Sequence, residues 1–210
     1  MPELDELNNK PSSVKRYVPK GKLAQAAFKL ALETLTTPLL HHSLRTFLFA
    51  KWLANTEGST YGDQDLDSLF VACVFHDFGA TENHDHSERF EVCGADAAIG
   101  DIWAAIALHT SPGIAERIHP LARLVRLGVL LDFRKATRDE LNAHDYGTQI
   151  EADVPRLEIE KVLGDAVVQQ AVSKKDAAAR SKKAPASSWA GLLLRSHLED
   201  PTWAGVNRAF

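Results

Sequence analysis

Residues 66–79 read Leu-Asp-Ser-Leu-Phe-Val-Ala-Cys-Val-Phe-His-Asp-Phe-Gly. Leu66, Leu69, Phe70, Cys73 and Val74 recur at three- and four-residue intervals, the period of one helical face. Asp65 stands where a capping carboxylate would meet the first free amides, and Gly79 stands where a helix ends. The spacing therefore predicts a buried helix that runs through Asp77. It carries an imidazole and a carboxylate, His76 and Asp77, into apolar surroundings. Successive helical side chains diverge by about 100°, so both reach one ion only in the wedge between them, with other helices completing the shell. Taken alone, the pair reads equally well as a core histidine beside a capping aspartate.

Working outward, Leu23, Ala26, Ala27, Leu30 and Leu35 predict an amphipathic helix over 22–36, and Thr37-Pro38 breaks it. A largely buried helix over 39–54 follows, carrying His41, His42, Arg45 and Lys51, then a loop over 55–63. One helix is expected from Arg89 to about Leu108, weakened at Gly94 and Gly100. Another runs from Pro120 toward Asp132, then a short segment capped at Thr137 or Asp139 precedes a turn at Gly147. A further helix begins near Pro155, and Pro185 sets off the tail. No alternating strand pattern and no repeat are evident, so the fold class is all-α, a helical bundle. Residues 1–20, with Pro2, Pro11 and Pro19, read as an N-terminal arm, and 21–210 as a single domain.

Two more residues share the problem posed by the His76-Asp77 pair. His42 lies in Leu39-Leu40-His41-His42-Ser43-Leu44-Arg45, and Asp132 closes the apolar run from Leu127. An ionised aspartate is costly to bury without a counter-charge, and one divalent cation would satisfy all four groups.

The ordered set His42, His76-Asp77, Asp132 resembles the HD-domain superfamily. The strings Leu40-His41-His42-Ser43-Leu44-Arg45, Phe75-His76-Asp77-Phe78-Gly79, Arg89-Phe90-Glu91-Val92-Cys93-Gly94-Ala95 and Ala107-Leu108-His109-Thr110 look like its cyanamide hydratase branch. The resemblance spans roughly residues 30–150. It implies an HD-domain helical bundle, metal ligands at His42, His76, Asp77 and Asp132, bound zinc with iron or manganese as alternatives, and hydration of cyanamide to urea. Phosphohydrolases of the wider superfamily often carry a lysine soon after the HD pair; that place holds Ala80 here. The departure favours a small neutral nitrile-type substrate over a phosphate ester, with Arg45 or Arg89 as substitute cations.

The polar stretch 80–87 reads first as a surface loop. As an active-site rim, its His86 would move a proton or bind a second metal, with Arg89 and Glu91 as a supporting ion pair. His109 is a pocket residue or a packed histidine, and His41 is structural or supports the ligands. The expected reaction is metal-assisted addition of water to a nitrile carbon, with Asp77, His86 or His109 moving the proton to nitrogen. Phe49, Trp52, Phe78, Phe90 and Trp103 are candidate walls. Three competitors stand beside this reading: an HD-type phosphohydrolase, which predicts basic residues converging on the pocket, a dinuclear iron or manganese enzyme using His86 and His109, and a nonenzymatic helical interaction protein with a structural metal.

Composition narrows the partners. With 24 basic and 28 acidic side chains the net charge is -4, which gives no general attraction to nucleic acid or an anionic membrane. Lys174, Lys175, Arg180, Lys182 and Lys183 form the one basic concentration, read as a solvated helix face or loop. Cys73 and Cys93 read as core thiols. No secretory leader and no apolar run of roughly 20 residues appear, so the expected compartment is cytoplasmic. Apolar surface is compatible with a homo-oligomer.

Overall fold

A computed structural model describes residues 14–210, so most of the N-terminal arm lies outside the described residues. Its last part is folded: Val14 and Val18 are buried around a 3-10 turn at Lys15–Tyr17, and the Tyr17 hydroxyl donates to Asp153 Oδ2 at 2.5 Å.

Among the described residues there are twelve α-helices and no strand. They are α1 (Lys22–Thr34), α2 (Thr37–Thr56), α3 (Leu66–Phe75), α4 (Phe90–Ala95), α5 (Gly100–Leu108) and α6 (Ala115–Ile118). They continue as α7 (Pro120–Phe133), α8 (Lys135–Glu140), α9 (His144–Asp153), α10 (Ile159–Val172), α11 (Ala177–Lys183) and α12 (Trp189–Glu199). The all-α fold matches the expectation. The centre of the bundle is α2, which lies against α3 on one side and α7 on the other. Gly128 of α7 sits so close to the Thr46 carbonyl that a Cβ there would come within 2.6 Å of it. Such close approach has a consequence one helical turn away on each partner, where Asp132 meets His42 and Arg45.

Several boundaries differ from the sequence reading, each for a local reason. Helix α1 buries Ala24, Ala27, Phe28 and Ala31, while Leu23 and Leu30 face outward. Phe28 therefore sets the phase. Helix α3 stops at Phe75, so His76 and Asp77 occupy the turn after it, not the helix itself. The expected helix over 89–108 is two, α4 and α5, broken where Gly100 takes a φ of 57°. Gly147 lies inside α9 instead of in a turn, and α10 begins only at Ile159, after Leu157 and Glu158 adopt left-handed backbone.

The basic concentration is also not uniformly solvated. Lys183 is buried and pairs with Asp85 at 2.6 Å, and Lys174 reaches the same carboxylate at 3.0 Å. With Gln170 Nε2 donating to the Gly79 carbonyl at 2.7 Å, these contacts tie α10 and α11 to the segment after the HD pair. Both cysteines are buried and unpaired, as expected, and burial pushes the Cys73 thiol up. Among the described residues no helix is long and apolar enough to cross a membrane.

Candidate metal centre

His76 and His109 are held by the same local device. Each is the residue that ends a helix, α3 or α5, and each Nδ1 lies 2.7 Å from the carbonyl three residues earlier, Cys73 or Ile106. Helix ends leave carbonyls without intrahelical donors, and a carbonyl only accepts. The proton therefore sits on Nδ1 in both rings, and both Nε2 atoms offer a lone pair to the interior. His42, from the middle of α2, reaches the same point: its Nδ1 lies 2.6 Å from Asp132 Oδ2, which fixes its tautomer likewise.

Three of these inward donors form a triangle. His42 Nε2 lies 3.0 Å from His76 Nε2, and Asp77 Oδ2 lies 3.4 Å and 3.2 Å from them. Asp77 Oδ2 has no hydrogen-bond partner among the described residues, although it is buried. Two imidazole lone pairs and an unpaired carboxylate oxygen facing one another repel unless positive charge lies between them. Bonds of about 2.0–2.2 Å to a tetrahedral ion would hold donors roughly 3.3–3.6 Å apart, close to the sides of this triangle, so it fits a divalent cation. His109 stands beside it, Nε2 3.6 Å from Asp77 Oδ1 and outside the triangle proper.

Asp132 occupies a different place from the one expected of a ligand. Its Oδ2 meets His42 Nδ1 and accepts from Arg45 Nη2 at 2.9 Å, and its Oδ1 accepts from Arg45 Nε at 2.7 Å and Arg156 Nη1 at 3.3 Å. It stands behind His42, orienting that ring, in the relation a carboxylate holds to many metal-binding histidines. Arg45, one of the two substitute cations for a phosphate ester, is fully buried and engaged with Asp132 and the carbonyls of Val154 and Pro155. His41 is buried with its Nδ1 3.0 Å from the Pro155 carbonyl.

The electrostatics follow from burial and these contacts. Burial lowers the His42 imidazole, and it lowers His109 to about 3. Burial also lowers His76, but the adjoining Asp77 carboxylate outweighs it, so the net direction is upward. Asp77 is opposed by burial yet held well below the usual carboxylate range by His76, His42 and His109. Asp132 is likewise held low, by His42 and Arg45 against burial.

The triangle opens on a cavity of about 500 Å³ whose lining includes His42, His76, Asp77 and His109. None of the five aromatic residues expected as walls lines it. Phe49 and Phe78 are fully buried elsewhere, Trp52 stacks on Tyr146, Trp103 is partly exposed, and Phe90 backs His109 from outside the cavity. The aromatic lining comes from Phe133, Trp189 and Phe210, with the Phe133 ring 4.4 Å from that of His42. His86 is exposed and does not line the cavity, so the structure separates it from the cluster. Arg89 and Glu91 do pair, at 3.8 Å, and buried Glu91 accepts from Thr110 Oγ1 at 2.5 Å. Arg89, Arg126 and Arg134 all line the cavity, a convergence that the sequence reading did not find.

A helical bundle that brings a histidine and a His-Asp pair onto one ion-sized point is the arrangement of an HD domain, and residues 39–128 match the family described by that name. Residues 39–128, 90 of the chain's 210, carry the HD-domain match, and the triangle of His42, His76 and Asp77 lies within it. The match ends one helical turn before Asp132. Over 66 residues the chain is 30% identical to Cyanamide hydratase DDI2 and Cyanamide hydratase DDI3 of Saccharomyces cerevisiae, a stretch that is 31% of this chain and 29% of each relative. It spans under a third of those relatives' length.

Proposed function

We propose that this chain is a metal-dependent hydratase that adds water to the carbon of a nitrile-type bond, with conversion of cyanamide to urea as the reference reaction. The observation that carries the metal-dependent part is the triangle of His42 Nε2, His76 Nε2 and unpaired Asp77 Oδ2 at the floor of a cavity. The local similarity to the two yeast hydratases supports the choice of reaction.

His42, His76 and Asp77 would hold the ion, zinc being the first to test, and Asp132 with Arg45 keeps His42 turned toward it. A bound divalent ion supplies Lewis acidity: it polarises the carbon-nitrogen bond and acidifies water. Addition then moves one proton from the water oxygen to the nitrile nitrogen, giving isourea, and transfer of the second proton from that oxygen to the same nitrogen gives urea. We assign the first transfer to His109 Nε2; in support, its Nδ1 proton is committed to the Ile106 carbonyl and its lone pair faces Asp77 and the cavity. Burial leaves it a weak base, so a proton taken up is handed on readily.

A second reading keeps the centre and changes the electrophile to phosphorus. It is favoured by the three arginines in the lining, and opposed by Ala80, which is buried and outside the cavity. Incubating metal-replete protein with cyanamide and, in parallel, with a phosphate-ester panel separates the two. Urea formation is expected; phosphate release without urea would replace the hydratase reading by the second one.

A further inference from the structure

Cyanamide leaves most of this cavity empty. A molecule of its size takes roughly two water volumes, ~60 Å³, whereas the cavity holds about 500 Å³, within the range that encloses a drug-sized ligand. Its lining has two further characters. Phe133, Trp189 and Phe210 form a continuous aromatic wall, with ring centroids 4.9 Å apart for Phe133 and Phe210 and 5.4 Å for Trp189 and Phe210. Its lining carries three guanidinium groups, Arg89, Arg126 and Arg134, of which Arg89 and Arg126 are paired with Glu91 and Glu116.

The three guanidinium groups are not equivalent. Arg89 donates to the Ala107 carbonyl and pairs with Glu91, and Arg126 donates to the His109 carbonyl and to Glu116. The Arg134 guanidinium makes no hydrogen bond or ion pair among the described residues, and the residue is exposed where the donor triangle is buried. An oxyanion drawn to Arg134 would therefore lie at the rim of the cavity, apart from the reacting atoms. Arg126, within α7 and lining the same cavity, adds positive potential along the path.

The geometry points to a substrate with two ends: an aromatic or apolar body carrying an oxyanion that Arg134 grips at the rim, and a reacting group presented to the triangle. This inference rests on the reading of the cavity as the active site, and it assigns the anion to recognition instead of to the chemistry. Carboxylate, sulfonate and phosphate share the chemistry that a guanidinium recognises.

The test is calorimetric binding to the metal-replete full chain of benzenesulfonate, benzoate and phenyl phosphate, each compared with neutral benzyl alcohol. Sulfonate is a poor metal ligand, so its arm reports the rim alone, while the other two show which oxyanion is preferred. Benzenesulfonate should bind at least about tenfold more tightly than the alcohol, the worth of one charge-assisted hydrogen bond. Arg134→Ala should abolish most of that preference and Arg134→Lys should keep part of it, whereas Phe210→Ala should weaken charged and neutral probes alike. Equal affinities for sulfonate and alcohol in the wild type, or a preference that survives Arg134→Ala, would overturn the inference. Because the readout is affinity and not turnover, its failure is distinct from failure of the hydratase reading, which the urea assay decides.

Discussion

Replacing Arg45 by methionine removes the cation that neutralises Asp132 while keeping most of the side-chain volume. Arg45 is fully buried and makes four hydrogen bonds: two to Asp132, at 2.7 and 2.9 Å, and one each to the carbonyls of Val154 and Pro155, at 3.2 and 2.9 Å. Breaking a buried ion pair by removing one partner costs about 3–5 kcal/mol. Arg156 Nη1 stays 3.3 Å from Asp132 Oδ1 and softens the loss, which puts the expected destabilisation near ~3 kcal/mol. For a domain of this size that lowers Tm by roughly 6–12 °C. The pH dependence should change too. Asp132 is held below its unfolded value, so its contribution is present above the unfolded pKa of about 3.9 and is lost as pH falls through the folded one. In the variant that loss should begin at higher pH. Urea unfolding of both proteins between pH 2 and pH 8 reads the two effects together. A variant within about 1 kcal/mol of wild type at pH 7, with an unchanged acid limb, would refute the claim that Asp132 is a buried anion stabilised by Arg45.

Asp85→Ala should destabilise the protein by about 2–3 kcal/mol, because it strands the buried ammonium of Lys183, and Lys174→Ala by much less, because Lys174 is partly exposed; chemical denaturation compares them. Gly79→Ala would push a Cβ to 1.8 Å from the Phe90 carbonyl and 2.7 Å from Gly94 N, both backbone atoms. It should cost more than about 3 kcal/mol or prevent folding, seen as lost helical circular dichroism or a collapsed Tm. His109 is held by burial at about 3, against about 6.5 when unfolded. Between those values the unfolded chain binds the extra proton, so this group makes stability rise with pH, by at most about 1.4 kcal/mol per unit. In chelator-treated protein, His109→Asn should flatten the rise between pH 5 and pH 6.5; an unchanged slope would count against the neutral, buried imidazole.

Much of this site can be read from the order of residues, and the parts that cannot have identifiable causes. Buried polar groups on apolar helices are conspicuous, which is why His42, His76, Asp77, His109 and Asp132 stand out in the sequence, and the structure gathers them. Their division of labour depends on a crossing. Whether Asp132 faces the ion or the back of His42 is set by the approach of α7 to α2 at Gly128, and the clue in the sequence is Arg45, three residues after His42 on a largely buried helix. The cavity wall was hidden for the same reason: Phe133, Trp189 and Phe210 come from separate parts of the chain and meet only through packing of α7, α12 and the residues beyond it. Lys183 sits among alanines and serines, and its partner Asp85 lies in a loop of mixed charge, so neither has a local pattern that signals burial. Helix phase at α1 is set by the one phenylalanine that packs inward, which the leucines of that helix outnumber.

Metal content per chain, measured by mass spectrometry on wild-type and Asp77→Ala protein after equilibration with zinc, bears most directly on the centre. One equivalent bound by the wild type and lost in the variant, with both proteins folded, is the expected result. A folded wild type that takes up no divalent ion, or a variant that keeps its full equivalent, would contradict the assignment of His42, His76 and Asp77 as its ligands.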